Sequence, residues 1–589
     1  MKHRIILAIA MMAMVFVACE NGKKGDMTPD QRFDGYRDRF IEDLWRLEPV
    51  WASMVGYHAY DSVLPVPGPE RTDEQLRFCL SHLDSLATFK EEELGRSQQM
   101  DLRMMRDHLK ATIWGIQTFK EHDWNPSVFN VANALDAVIN STHAPLEERL
   151  TTLRGRLRSV KQFYASARTM VKDPTREHTE LAIQQSRGTL DLIGPWLTDT
   201  IVSCALTDSV KKLISTDLDS ARKGIEGYIS FLENDWLPKL QTKARSPRIG
   251  KALFAEKFSH DINSVHHAQE VFEMAIAAKT DLHQRMDSLT RQLWPKHMGK
   301  MAMPADSLKA IRMLIDTLSH VHAQPDSFLQ AIERQIPELN RFVTEKDLLT
   351  LDPDKPLVVR EEPAFMSGVS VASISAPGPY DKDRETWYNV HPLTGMEPAR
   401  AESYLREYNS YILQILNIHE AIPGHYAQLI YNNRAPSIIK AILGNGAMVE
   451  GWAVYTERMM LEAGYGNNSP ELWLMYYKWN LRTVCNTILD HSVHVLNMNE
   501  EQALDLLMRQ AFQQEAEARG KYRRAVLTQV QLSSYFTGFA DIMQLRDEVR
   551  KAEGNAFSLK RFHEEFLSFG SAPVRHVSEI MLSGRSKKD

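Results

Sequence analysis

Two imidazoles six residues apart, a carboxylate beside the first and a second carboxylate 25 residues beyond the second are supplied by His419, Glu420, His425 and Glu450. Neutral imidazoles and a carboxylate are the donors of catalytic zinc, which keeps three protein ligands and one open position for water. A carboxylate next to such a ligand can serve as general base. The pattern therefore predicts a zinc-dependent peptidase, with His419, His425 and Glu450 holding Zn2+ and Glu420 moving the proton.

The spacing is unusual. The common helical zinc motif puts its histidines at i and i+4, about 40° apart, whereas a gap of six on an unbroken helix separates them by about 240°. Pro423 lacks a backbone N–H and its ring would clash with the carbonyl of His419, and Gly424 tolerates unusual dihedrals. A bulge or kink is expected there, swinging His425 back toward His419.

The flanking elements must then aim these groups. Leu405, Tyr408, Ile412, Ile415, Leu416 and His419 follow a three-four spacing, so His419 is expected to end an inward-facing apolar stripe. On a second helix from Ala447 to Glu462, Glu450 and Glu457 lie about 700° apart, nearly two full turns, and share a face. That face carries Ala453 and Val454, so its carboxylates should be partly buried and in need of a cation. A core histidine, a surface histidine and an ordinary ion pair would be the plain structural account. The co-occurrence of the helix-breaking Pro-Gly with a second acidic helix favours the metal.

The strings His419 to His425 and Glu450-Gly451-Trp452-Ala453-Val454-Tyr455-Thr456-Glu457 resemble the two signature segments of the bacterial Domain of Unknown Function 885 family, many of whose members are lipoproteins. Trp387-Tyr388-Asn389-Val390, Asp490, His494, Gln531, Ser534, Tyr535 and Gly538 extend the resemblance, which runs from about Phe33 to Pro573. That family is similar to glutamate-liganded zinc metallopeptidases of the neurolysin-like and angiotensin-converting-enzyme-like type. The resemblance implies a mainly α, multi-helical, cleft-containing fold and the same ligands and base. This chain departs from the family at Gln529-Val530, where Pro-Gly is usual, and at His491-Ser492, where Thr-Gly is usual.

Tyr535 and His494 are expected to donate to the tetrahedral oxyanion, and Glu457 and Asp490 to orient a ligand or Tyr535 from behind. A strand signal between Leu357 and Val390, clearest at Val369 to Ile374, predicts a small β-sheet next to the site. An exposed strand edge binds an extended peptide through its main chain, which places Val371, Ser373, Tyr388 and Asn389 as substrate-binding candidates. Two other functions remain open: a catalytically silent peptide-binding lipoprotein, and a zinc hydrolase of another amide or ester.

The chain has 589 residues and a formal charge of −6. Lys2, His3 and Arg4 precede an apolar run from Ile5 to Ala18, too short for the roughly 20 residues a bilayer core requires. The run ends at Phe16-Val17-Ala18-Cys19, which resembles a lipobox. Residues 1–18 are therefore expected to be a signal peptide, Cys19 a lipidation site and 19–29 a tether. The exported lipoprotein would be membrane-anchored through its lipid only, facing the periplasm or cell surface. The remaining 571 residues carry a formal −8, giving no electrostatic footprint for nucleic acid. Cys79, Cys204 and Cys485 are too dispersed for a disulfide framework.

Long amphipathic helices are expected over Leu146 to Val171, Thr179 to Ile193, Ser209 to Phe231, Phe258 to Trp294, Pro470 to Leu496, Glu500 to Arg519 and Tyr522 to Ala552, with Thr72 as an N-cap. The basic, proline-interrupted loop 242–250 divides an N-terminal helical subdomain, 30–245, from a catalytic one, 246–580, the two sharing one cleft. His266 with Glu270 is a rival metal pair at i and i+4, but without a third ligand it reads as a solvated helix face.

Overall fold

Prolines and side-chain caps set where the helices begin. Thr28 and Gln31 form a capping box ahead of Pro29–Leu47, and Pro69, Pro195, Pro398 and Pro470 each occupy a first helical turn, where the missing N–H costs nothing. The structure, a computed structural model, describes residues 27–362, 372–381 and 385–585. The signal peptide, Cys19, most of the tether and Val371 lie outside the described residues.

The fold is mainly α with one three-stranded sheet. Helices Leu146–Met170, Arg176–Leu192, Asp208–Phe231 and Pro470–Val495 lie close to the expected ranges. Several expected helices are interrupted. The stretch from 258 to 294 is divided between Gly250–Asp261 and Ala268–Met298, where His267 and Glu270 make a capping box. The apolar stripe from Leu405 to His419 belongs to two helices, Pro398–Glu407 and Ser410–Glu420, because Asn409 caps the second through the N–H groups of Tyr411 and Ile412. Thr72 lies within Pro69–Leu86 rather than capping it.

The packing divides the chain differently from a cut at residue 245. A separate core gathers Phe129 to Leu232, together with Leu64, whereas Phe33 to Leu109 join Phe254 to Met581 in the larger core around the histidine helices. Residues 33–109 thus pack with the histidine helices, and the separate N-terminal core is that of the middle helical bundle.

The sheet comprises β1 (Leu357–Glu361), β2 (Ala372–Ser375) and β3 (Thr386–Val390) in the order β1-β3-β2. β3 is central, parallel to β1 and antiparallel to β2, with Ser373 opposite Asn389. One edge of β2 is therefore unpaired among the described residues, and Ala372 lines the same cavity as His419 and Glu420. Among the described residues, no helix is long and apolar enough to cross a membrane.

Candidate metal centre

Ser410–Glu420 ends at the first histidine pair, and a new helix, His425–Asn433, starts at the second. The expected kink is a complete break. Ala421 leaves the helical region, and the Ile422–Pro423 peptide is cis. A Cβ on Gly424 would run into the carbonyl oxygens of Ile418 and His419, so the turn closes only over glycine. Trp452 on the glutamate helix, Gly446–Glu462, donates its indole N–H to Pro423 O at 2.9 Å and ties the turn to that helix.

This geometry brings His419, His425 and Glu450 together, with one donor atom from each within 4.8 Å of the others. Glu450 Oε2 is 3.5 Å from His425 Nε2 and 3.8 Å from His419 Nε2, and the two rings stand at 90°. Bonds of about 2.0–2.1 Å in a tetrahedron put neighbouring donors about 3.4 Å apart. The two carboxylate–imidazole separations lie within a few tenths of an ångström of that edge. His419 Nδ1 lies 2.7 Å from Glu457 Oε1, which also accepts the Trp479 indole N–H at 3.0 Å. The second ring nitrogen is thereby fixed, leaving Nε2 to face the centre.

The electrostatics favour a cation. Burial opposes charge on His419, but the hydrogen bond and charge of Glu457, with Glu420 and Glu450, outweigh it and raise the ring to about 9. The neighbouring carboxyls diverge. Burial pushes both upward; at Glu450 the contacts with His425, the charge of His419 and the Tyr535 hydroxyl reverse this, so it is lowered. At Glu420 burial prevails over His425 and His419, so it is raised. Two carboxyls driven apart by their surroundings are suited to different tasks, one to remain an anion and one to exchange a proton.

Tyr535 reaches the centre because two helices nearly touch. A Cβ on Gly451 would meet the backbone of Gly538, and one on Gly538 the backbone of Ala447 and Gly451, so Gly446–Glu462 and Ser534–Glu553 cross without side chains between them. Asp490 accepts from Val530 N, Ser533 N and Ser533 Oγ at 3.1, 3.1 and 2.9 Å. It thus fixes the turn that presents Tyr535, with Val530 at φ +72° breaking the helix expected from Tyr522 to Ala552. Burial raises the Asp490 carboxyl to about 7 against these donors.

Three sequence-derived candidates lie elsewhere than expected. His494 points its Nε2 at the carbonyls of Ala525 and Thr528, 2.7 and 3.0 Å away, and is not aimed at the centre. Tyr388 is fully buried and donates to Asn417 Oδ1 at 2.8 Å, bracing the helix two residues before His419. Asn389 is also buried, accepting from Arg360 and donating to Ser375 Oγ, both at 2.7 Å. These two residues support the site and do not present a surface to substrate, because β3 is covered on both faces. Ser373 remains partly exposed on β2. His266 lies 3.8 Å from Glu270 and contacts Gln544, but it sits in the bend between Gly250–Asp261 and Ala268–Met298 rather than on a helix face.

The centre opens into a cavity of about 680 Å³ whose lining includes the charged residues Glu407, Arg482, Glu517, Lys521 and Arg524. The sequence reading missed this wall. Its only local trace is the four-residue spacing of Lys478 with Arg482, on a heavily buried helix, and of Glu517 with Lys521 on a largely exposed one.

Residues 49–581 match the family described as "Bacterial protein of unknown function (DUF885)", and the chain belongs to that family. No curated protein matches it significantly. A solved structure described as "a putative lipoprotein of unknown function" from Shewanella oneidensis is 47% identical, covers 93% of this chain and 99% of its own, and superposes with a TM-score of 0.87. A second, described as "the putative lipoprotein from Colwellia psychrerythraea", is 16% identical over 95% of this chain and 100% of its own, with a TM-score of 0.77, and shares the fold.

Proposed function

We propose that this protein is a zinc-dependent peptidase. The observation that carries the reading is the spacing of His419 Nε2, His425 Nε2 and Glu450 Oε2, close to the edges of a zinc tetrahedron, with Glu457 fixing the first ligand from behind. When bound, zinc would polarise the substrate carbonyl and acidify water. Glu420 takes the proton of the attacking water and delivers it to the leaving amine, a task suited to its raised pKa. The Tyr535 hydroxyl, close enough to Glu450 to help lower its pKa, donates to the developing oxyanion, a contribution of about 3–4 kcal/mol for a single donor. Substrate main chain runs beside the free edge of β2 near Ser373.

Export and anchoring through Cys19 complete the proposal, supported by the Phe16 to Cys19 motif and by relatives described as lipoproteins. The test combines elemental analysis of the purified protein with cleavage of a mixed peptide library. About one zinc per chain with peptide products is expected; a zinc-loaded protein that leaves every peptide intact would end the peptidase reading.

A further inference from the structure

The cavity wall facing the metal centre carries more positive charge than its own carboxylates balance. Helix Pro470–Val495 contributes Arg482, with Lys478 one turn before it, and helix Glu515–Leu527 contributes Glu517, Lys521 and Arg524. Lys478 pairs with Glu407 at 2.8 Å and Arg482 with Glu517 at 2.7 Å, and these two pairs use both acids. Lys521 shares Glu517 with Arg482, at longer range. It is only 7% exposed, its ammonium is 3.8 Å from Glu517 and beyond hydrogen-bond reach, and it has no hydrogen-bond partner among the described residues. Arg482 Nη1 is likewise buried without one. Arg524 donates to two neutral oxygens, Gln531 Oε1 at 2.7 Å and Tyr535 Oη at 3.3 Å.

A buried cation that must share its acid is costly, and Lys478, Arg482, Lys521 and Arg524 set four positive charges against the two of Glu407 and Glu517. Burial depresses its amine to about 7, with Arg482 and Arg524 acting in the same direction and Glu517 and Glu407 opposing. An anion entering the cavity would supply the missing partner. Guanidinium forks and an ammonium are the usual receptors for a carboxylate. The wall also begins next to the reacting atoms: Arg524 touches the Tyr535 hydroxyl, which touches Glu450. At about 3.3–3.6 Å per extended residue, a carboxylate held there lies one or two residues from the scissile bond.

We propose that Arg482, Lys521 and Arg524 receive the free α-carboxylate of a peptide, so that the protein trims peptides from the C-terminal end, one or two residues at a time. This rests on the peptidase reading. The test uses the full mature chain loaded with zinc and one peptide made as free acid and as C-terminal amide. Products are read by mass and binding by calorimetry on the Glu420→Gln protein. The free acid should lose its C-terminal residue or dipeptide about 100-fold faster than the amide, in line with a charge-assisted contact. That ratio should fall to within about 3-fold in Lys521→Gln and in Arg524→Gln, the second guarding against a fold defect in the first. Equal cleavage of acid and amide overturns the carboxylate site and leaves the peptidase standing. Tighter binding of the acid without cleavage of either upholds the site and overturns the peptidase. Neither binding nor cleavage overturns both.

Discussion

Among the described residues, two places gather two histidines and a carboxylate with donor atoms within 4.8 Å: His419, His425 and Glu450, and His58, Asp61 and His143. Their chemistry differs because their surroundings do. At the first, the rings are perpendicular and an acid, Glu457, stands behind one of them. At the second, the rings are stacked 3.5 Å apart and nearly parallel, at 10°. An ion about 2.1 Å from a nitrogen of each stacked ring would lie more than about 50° out of both ring planes, away from the lone pairs. Asp61 is also already served, by Ser53 Oγ at 2.5 Å, by His58 at 2.8 Å and by the buried guanidinium of Arg156 at 4.0 Å. A fixed cation behind a carboxylate repels a metal, whereas a fixed anion behind an imidazole attracts one. Donor type and proximity therefore do not define a metal site; the outer partners decide.

The largest effect expected from this comparison is on catalysis. Glu420→Gln should retain zinc and fold while kcat falls by about three orders of magnitude or more, because both proton transfers pass through that carboxylate. Full activity in this variant would remove Glu420 from the mechanism. Next comes the metal itself. His419→Ala and His425→Ala should each purify without stoichiometric zinc, while His58→Ala and His143→Ala keep it. Elemental analysis of the four proteins checks the contrast, and zinc lost from the second pair instead would invert the assignment of the two clusters.

Much of the first cluster was legible in the sequence because its information is local. The Pro-Gly pair marks the turn between the histidines, and the seven-residue spacing of Glu450 and Glu457 puts ligand and outer partner on one helix face. The second cluster was not legible, since His58 and His143 meet only through tertiary packing. The cationic wall was hidden similarly: Arg482 and Lys521 sit on different helices, and each alone reads as a surface charge. Helix breaks near Asn409 and Val530 went unread for different reasons. Asn409 is a local cap overridden by a continuous apolar pattern, whereas the break at Val530 depends on Asp490 capturing its N–H from 40 residues away. Tyr388 and Asn389 looked accessible because they sit in a short strand, but that strand is central and covered.

A smaller expected effect separates outer partner from ligand. Glu457→Gln should weaken zinc about 10–100-fold without abolishing binding, since the amide can still accept from the imidazole but no longer supplies charge. Competition with a zinc-binding dye measures it. No change would show that Glu457 merely fills space behind His419.

The smallest effect extends the comparison to Lys521, a buried charged group that must share its acid, Glu517, with Arg482. Its folded pKa of about 7 lies below the ordinary lysine value of 10.5. Below about pH 7 both folded and unfolded chains hold the proton, and the fold bears the whole cost of the buried charge. Between about 7 and 10.5 the unfolded chain keeps a proton that the folded chain has released, so this group makes stability rise with pH. The slope cannot exceed about 1.4 kcal/mol per pH unit for one proton. Lys521→Met lacks the group, so any stability advantage of the variant over the parent protein at pH 7 should shrink by pH 9 in urea unfolding followed by circular dichroism. A gap that stays constant from pH 7 to pH 9 would mean that the ammonium keeps its proton in the fold, and that the wall already contains the anion it was inferred to await.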